Sequence, residues 1–569
     1  MKDFSFEVKS KDIAGRIGSL VVNGKKIETP ALMPVYNIAK TVIPVKELVG
    51  EFKVSALMTN AYTLLKDESL RKRVLEEGIH KLFDYDGVIA TDSGSYQLMV
   101  YGSVNTTNHE IIEFQNKIGS DIGSFLDIPT LPDAFKPRAS EQLEETLRRA
   151  GEALKAKFAV NAGIQGGKYL DLREKAAKEI GGKFSLIAVG GIVPLMENYR
   201  FQELVDIIAT VKKSIPLDRV VHAFGLGHPM VFSLAVALGC DLFDSAAYSL
   251  YAQNDRYLTL EGTKRLSELE YMPCSCPICN KHGIGLKELQ GEGRVGAIAR
   301  HNLYVSMQEL NTVKQAIREN SLWELVAMRC RAHPNLLDGL NRMLDYTEWF
   351  SALDLITKKS AFGITGPESE RRTEVFNVKK RIQRVKSDCL VDVKVFGKTP
   401  AELLDIYPFN SLVEDYGRQR VRDLEKVRAL MDYQFGEEAG SLISEKVRIK
   451  KSRATQRIRW IYEGKDMIAS VRASDHLIIP HDKLALKLRE KFKKPRLRVI
   501  LEDDQEVVKY VKEGKSVFCK FVTEVDPELR CGDECIVVDS KDNYLRTGTL
   551  ALSPTEIKDF QRGVAVRIR

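Results

Sequence analysis

The sequence has no apolar run long enough to cross a bilayer. Its longest nearly uncharged stretch, around Met230 to Cys240, is closed by Asp241 and falls well short of the roughly 20 apolar residues that a membrane helix needs. It has no low-complexity tract and no internal repeat beyond alternating strand and helix units. Nine cysteines in 569 residues are too few for a disulfide scaffold, and their odd number fits a reducing compartment. The opening Met-Lys-Asp-Phe-Ser-Phe-Glu has no apolar signal core behind its charges, so export is not expected. What remains is ordinary globular composition, 44% apolar and 29% charged. At roughly 150 residues per domain the chain should hold several domains, and a cytoplasmic location with no membrane attachment is the expectation.

Charge is unevenly placed. Residues 441–500 carry 17 Lys/Arg against 6 Asp/Glu, a net of +11, while the whole chain is only +8. The rest of the molecule is therefore mildly acidic. Lys446-Val-Arg-Ile-Lys-Lys-Ser-Arg-Ala-Thr-Gln-Arg-Ile-Arg-Trp460 and Arg489-Glu-Lys-Phe-Lys-Lys-Pro-Arg-Leu-Arg498 interleave cations with Trp460, Tyr462 and Phe492. One such run is commonly just a solvated face. Two in one segment fit a polyanion-binding module, with cations for phosphates and rings for bases.

The chain opens on a hairpin signal, Ser19-Leu-Val-Val into Asn23-Gly24 and back through Lys25-Lys-Ile-Glu. Eight short apolar strands follow, separated by helix-length intervals. They begin near Ala31, Ala56, Gly87, Ile122, Phe158, Ser185, Arg219 and Asp241. Several are continuous apolar runs, as parallel strands covered on both faces must be. Eight such units within about 300 residues predict an α/β chain built on a (β/α)8 TIM barrel. Nearly every strand ends in polar or glycine-rich residues: Asn60, Asp92-Ser-Gly-Ser-Tyr-Gln97, Asp127, Gln165-Gly-Gly167, Gly190-Gly191, Gly225-Leu-Gly-His228 and Asp244-Ser-Ala. In a barrel those ends converge on the face where active sites are built. Domain boundaries are expected at 1–355 for the barrel, 356–430 and 431–494 for two small α+β domains, the second basic, and 495–569 for a β-rich end.

Cys274-Ser-Cys276-Pro-Ile-Cys279 packs three thiols into six residues. Such a cluster suits zinc, which takes four tetrahedral ligands. His282 and His301 are the candidates for the fourth. His301 is favoured because it opens a predicted helix that would orient its imidazole. Three Cys and one His close the coordination sphere, so the expected Zn2+ is structural, one per chain, in an insertion on the barrel.

The motifs at Asp92, Gln165, Gly190 and Asp244, followed by the Cys-x-Cys-x-x-Cys…His cluster, resemble the tRNA-guanine transglycosylases over roughly residues 1–350. The C-terminal unit, with Val511-Lys-Glu-Gly-Lys-Ser-Val-Phe and Gly563-Val-Ala-Val-Arg567, resembles a PUA RNA-binding domain. That pairing is similar to the archaeal, archaeosine-forming branch of the family. Ser95 and Tyr96 stand where relatives often show Gly and Phe. The resemblance implies exchange of guanine at position 15 of the tRNA D-arm for 7-cyano-7-deazaguanine (preQ0), with tRNA and the free base as partners and a homodimer as assembly. It assigns Asp244 as nucleophile and Asp92 as general acid/base.

The residue types suit that chemistry. Substitution at C1′ of a ribose passes through an oxocarbenium-like state that a carboxylate can trap, while a second carboxyl group moves the proton. An Asp before Ser-Gly or Ser-Ala is also a common cap or turn residue, and it is the ordered set of motifs that favours catalysis. Amides of Gly190 or Gly191, with the side chain of Gln165, suit the O6 of guanine. Asp127 suits its N1 and exocyclic amine edge. Ser93 and Tyr96 complete the expected substrate set, Tyr96 by stacking on an extruded base. His228 reads as a satisfied loop histidine or as part of the lining. Two other readings are kept as alternatives: a paralogue acting on the already exchanged base, in which the carboxylate pair would be expected to decay, and a non-catalytic tRNA-binding protein.

Overall fold

The computed structural model describes residues 4–95, 106–412 and 421–569. Asn23 and Gly24 both hold positive φ, 50° and 76°, the pair of left-handed residues that a type I′ hairpin turn requires. They join β2 (Gly15–Val22) to β3 (Lys25–Thr29), and β1 (Phe4–Asp12) completes a three-stranded antiparallel sheet.

The eight expected strands follow: β4 (Ala31–Pro34), β5 (Ala56–Asn60), β6 (Val88–Asp92), β7 (Ile122–Gly123), β8 (Ala159–Ile164), β9 (Leu186–Val189), β10 (Val220–Ala223) and β11 (Leu242–Ser245). Each pairs in parallel with its neighbour, β11 returns to β4, and Val35 bridges Met58, so the barrel closes. Val88, Ile89, Ala162, Ile187 and Val221 are wholly buried, which is why these strands read as unbroken apolar runs. The flanking helices bury one stripe each, as Leu204, Val205 and Ile208 do in the helix Phe201–Ser214. β7 is the shortest because the Ser124 amide donates to the Gln115 side chain at 3.0 Å rather than to a neighbouring strand.

The small sheet is fastened to the amino-terminal end of the barrel. Arg16 reaches both oxygens of Asp241, the residue before β11, at 2.7 Å each. Asp121, the residue before β7, accepts from Lys25 Nζ at 2.9 Å and Asn23 Nδ2 at 3.1 Å. Arg16 and Asp241 are buried, and removing one partner of such a pair costs about 3–5 kcal/mol. This end is plugged by stabilising contacts, leaving the carboxyl-terminal end for a site.

The chain divides into two compact units, Met1–Arg318 with Leu325–Met343, and Glu319–Glu324 with Leu344–Arg569. The first also holds the hairpin β12 (Arg256–Thr259) and β13 (Gly262–Arg265), and most of the long helix Gly291–Glu319. The second begins with helices and the hairpin β14 (Leu390–Val393) and β15 (Gly397–Pro400). An antiparallel sheet comes next, β16 (Arg448–Lys451), β17 (Ile458–Glu463), β18 (Asp466–Val471) and β19 (Ile478–Pro480), backed by the helix Asp482–Lys491. Last is a six-stranded sheet of β20 (Arg498–Leu501), β21 (Val517–Phe518), β22 (Val522–Val525), β23 (Glu534–Val538), β24 (Tyr544–Leu550) and β25 (Val564–Ile568). Inside this unit the buried pair Arg381–Asp533, with contacts of 2.7 and 2.9 Å, ties the helix Thr373–Ile382 to the chain entering β23. No helix among the described residues is long and apolar enough to cross a membrane.

Candidate active site

The carboxyl-terminal strand ends of the barrel enclose a cavity of about 430 Å³. Asp92, Ser95, Asp127, Gln165, Gly190, Gly191, His228 and Asp244 all line it. One cavity thus joins residues that lie up to 152 positions apart in the sequence. Tyr96 lies outside the described residues. Ser93 is not in the wall: its buried hydroxyl donates to the Phe125 carbonyl at 2.9 Å and meets Ser95 Oγ at 3.0 Å. Ser95 reaches the cavity instead, past the turn at Gly94, whose φ is +96°.

Asp92 ends β6, and its Oδ2 accepts from Asn60 Nδ2 at 3.0 Å. Burial, and then the negative charges of Asp127 and Asp244, push its carboxyl up to about 7. A group so placed can both give and take a proton near neutrality. Asp244 lies in β11. Its Oδ1 is gripped from two sides, by the Gly225 amide at 2.6 Å and by His222 Nε2 at 2.9 Å. His222 Nδ1 in turn lies 2.9 Å from Asn161 Nδ2. His222 and Asn161 escaped the sequence reading. The available signal was a single polar residue interrupting each apolar strand, Val-Val-His-Ala in β10 and Ala-Val-Asn-Ala in β8.

The opposite wall is largely bare backbone. Gln165 Nε2 donates to Asp127 Oδ2 at 2.6 Å, leaving its second N–H for another acceptor. A Cβ on Gly190 would stand 2.2 Å from that nitrogen, and one on Gly163 would stand 2.5 Å from Asp127 Oδ2. Glycine is therefore demanded by close approach at both positions. Burial pushes the Asp127 carboxyl up, against the lowering effect of hydrogen bonds from Ser95 and Gln165. The Gly190 amide is spent on the barrel ladder, donating to the Ile164 carbonyl at 3.1 Å, so it cannot hold a purine oxygen. Beneath this wall the buried Arg173 donates to the carbonyls of Gly167, Ile164 and Gly190 at 2.6–2.9 Å. It fixes the turn that carries Gly191, whose φ is +69°. His228 is both satisfied and lining: Nδ1 accepts from the Met230 amide at 3.2 Å, and Nε2 meets Thr263 Oγ1 at 3.0 Å. Burial lowers its imidazole to about 4.

Elsewhere in this unit the donor atoms of Cys274, Cys276, Cys279 and His301 lie within 4.8 Å of one another. His282 is not among them. His301 sits in the long helix Gly291–Glu319, its Nε2 at 2.9 Å from the Leu258 carbonyl and its Nδ1 at 3.3 Å from Cys279 Sγ. Since a carbonyl accepts, Nε2 carries the proton and Nδ1 is free to bind a metal. The Tyr257 ring stacks on this imidazole at 3.5 Å, and its hydroxyl meets Cys279 Sγ at 3.1 Å. Three free thiols and an oriented imidazole suit a metal ion that prefers soft, tetrahedral ligands.

In the second unit, the sheet β16–β19 has one apolar face, with Ile461, Ile468 and Ala469 buried. On its other face Arg448 pairs with Tyr462, and Lys450 with Trp460, in register. Both cations stand over the Tyr462 ring, at 5.0 and 5.1 Å, and Trp460 is 41% exposed. Exposed cations beside open rings form a platform for phosphates and bases.

Comparison with known proteins gives matching results. The family model described as queuine tRNA-ribosyltransferase matches residues 11–335. A model of the patch-forming domain C2 of tRNA-guanine transglycosylase matches residues 425–495, and the PUA domain matches residues 500–569. The tRNA-guanine(15) transglycosylase of Thermococcus kodakarensis is 46% identical, with 100% of this chain and 99% of the relative covered. That of Pyrococcus abyssi is also 46% identical, covering 100% and 98%. That of Methanococcus aeolicus is 39% identical, covering 99% of each.

Proposed function

The chain belongs to the tRNA-guanine transglycosylase family, and from that premise we propose that it exchanges guanine 15 in the D-arm of tRNA for 7-cyano-7-deazaguanine. The product would be the first committed intermediate of archaeosine. The observation that carries this reading is that Asp92 and Asp244 line one cavity, with the Asp92 carboxyl pushed up to about 7 by burial and then by the charges of Asp127 and Asp244.

In the proposed sequence a lone pair of Asp244 Oδ2 forms a bond to C1′ of the ribose as the C1′–N9 bond breaks. The departing guanine takes its electron pair and a proton from Asp92. The incoming base then loses its N9 proton to the Asp92 carboxylate and attacks C1′. The ester bond breaks, and its electrons return to Asp244. The Gly191 amide and the second N–H of Gln165 would hold the purine oxygen, and Asp127 would accept from N1 and the exocyclic amine. Adenine, with no N1 proton and an amine in place of O6, would leave these groups unpaired at a cost of about 1–3 kcal/mol each.

The Cys3His cluster would hold one Zn2+. That ion supplies no step of the exchange. Its ligands tie the loop after β13 to the long helix, which also clasps the chain after β11 through Asn302 and the Tyr248 carbonyl at 3.3 Å. The basic sheet face and the PUA domain would add grip on the tRNA. A homodimer is proposed from the family resemblance, and a cytoplasmic location from the cysteine usage and the charged opening of the chain. The domain boundaries expected from the sequence are retained as a working division.

The test is mass spectrometry of substrate tRNA after incubation with preQ0. A mass change confined to position 15 is expected, and an unaltered tRNA would overturn the proposal. Asp244→Ala should abolish both exchange and the covalent RNA adduct while tRNA affinity stays within about twofold. Exchange of labelled guanine by that variant would exclude Asp244 as nucleophile.

A further inference from the structure

Inside the barrel a polar chain runs across three strands, from Asn161 in β8 to His222 in β10 to Asp244 in β11. His222 is wholly buried, and its ring packs against Phe224 with centroids 4.9 Å apart. A histidine there is costly unless both ring nitrogens are paired. Asn161 Nδ2 faces Nδ1 at 2.9 Å, and the Oδ1 of the same amide is buried with no partner. Nε2 faces a carboxylate oxygen, which accepts, so a ring proton sits on Nε2. From Nε2 that proton has one acceptor, Asp244 Oδ1 at 2.9 Å.

The geometry points to His222 as the positioning residue of the nucleophile. Its Nε2–H donates to Oδ1 of Asp244 at 2.9 Å, beside the Gly225 amide at 2.6 Å. It thereby assigns the two carboxylate oxygens different work. Oδ1 is bound from behind by two donors, and Oδ2 is the atom that attacks C1′. This rests on the base-exchange reading above and adds to it a reason why one oxygen is chosen. A rotating carboxylate would spend most of its time out of line with the breaking C1′–N9 bond, and misplacement by about 1 Å can cost a hundredfold in rate. His222 neither gains nor loses a proton in either half-reaction.

The experiment compares wild type, His222→Phe and His222→Gln. Phe keeps the ring volume without a donor, and Gln restores an N–H within reach of Oδ1. Each is assayed for exchange of labelled guanine into tRNA, for KM of tRNA, for the adduct trapped on denaturation and for melting temperature. His222→Phe should lose about a hundredfold in kcat and in the rate of adduct formation, with KM within about twofold, and His222→Gln should recover at least a tenth of wild-type kcat. The melting temperature screens out a Phe variant that fails to fold, in which case the Gln variant carries the comparison alone and must stay within tenfold of wild type. A folded Phe variant with wild-type kcat overturns the assignment, as does a folded Gln variant no better than the Phe one. Absence of exchange by wild type would instead overturn the base-exchange reading itself.

Discussion

Asp92 shows how placement alone sets a residue's chemistry. An exposed aspartate titrates near 4, and this one is pushed to about 7 by burial and by the charges of Asp127 and Asp244. The sign of the consequence follows from linkage. The folded state holds this proton more tightly than the unfolded chain, so Asp92 favours folding less and less as pH rises from about 4 to about 7. Asp92→Asn removes that slope. Its melting temperature should gain on wild type as pH increases over this range, and a constant difference would refute the shift. In catalysis the same group must begin protonated, so kcat/KM for tRNA should decline above an apparent pKa near 7 in wild type. At this scale the sequence showed the carboxylates, because aspartates before Ser-Gly and Ser-Ala at strand ends carry a motif. It could not show His222 or Asn161, whose significance lies in facing each other across three strands far apart in the chain. Ser93 shows the same limit, since its proximity to Asp92 in sequence does not reveal that its hydroxyl bonds to the Phe125 carbonyl and to Ser95.

Whole elements were easier to read. Parallel strands covered on both faces tend to be apolar throughout, and several of the eight barrel strands stood out for that reason. The hairpin of Asn23 and Gly24 was legible because few other dipeptides accept two consecutive left-handed residues. Its role was not legible, since the Arg16–Asp241 pair joins positions 225 apart. The metal cluster shows both sides: three cysteines within six residues are conspicuous, whereas the choice of His301 over His282 depended on a helix that fixes the ring. For this element the expected result is one zinc per chain by metal analysis. Cys276→Ser should lower that content severalfold and reduce the melting temperature by several degrees. Full zinc occupancy in the variant would remove Cys276 from the ligand set.

For the whole molecule, charge is the property that the sequence displayed and the fold arranged. The excess of cations at 441–500 is sorted by the pleat of β16 and β17, which puts Arg448 and Lys450 beside Tyr462 and Trp460. Replacing Arg448 and Lys450 together by alanine should weaken tRNA binding and make the plot of log affinity against log salt shallower by roughly 1.5. Activity at saturating tRNA should change less than twofold, because neither cation takes part in the proposed bond exchange. An unchanged salt dependence would remove this face from the tRNA contact. The cavity itself has a different kind of constraint. Where Gly163, Gly190 and Gly191 stand there are no side chains to trim, and every mutation at those codons adds atoms to a slot with no spare room. Evolution can therefore close this side of the pocket but not reshape it, and any drift in which base is accepted must begin with the residues opposite.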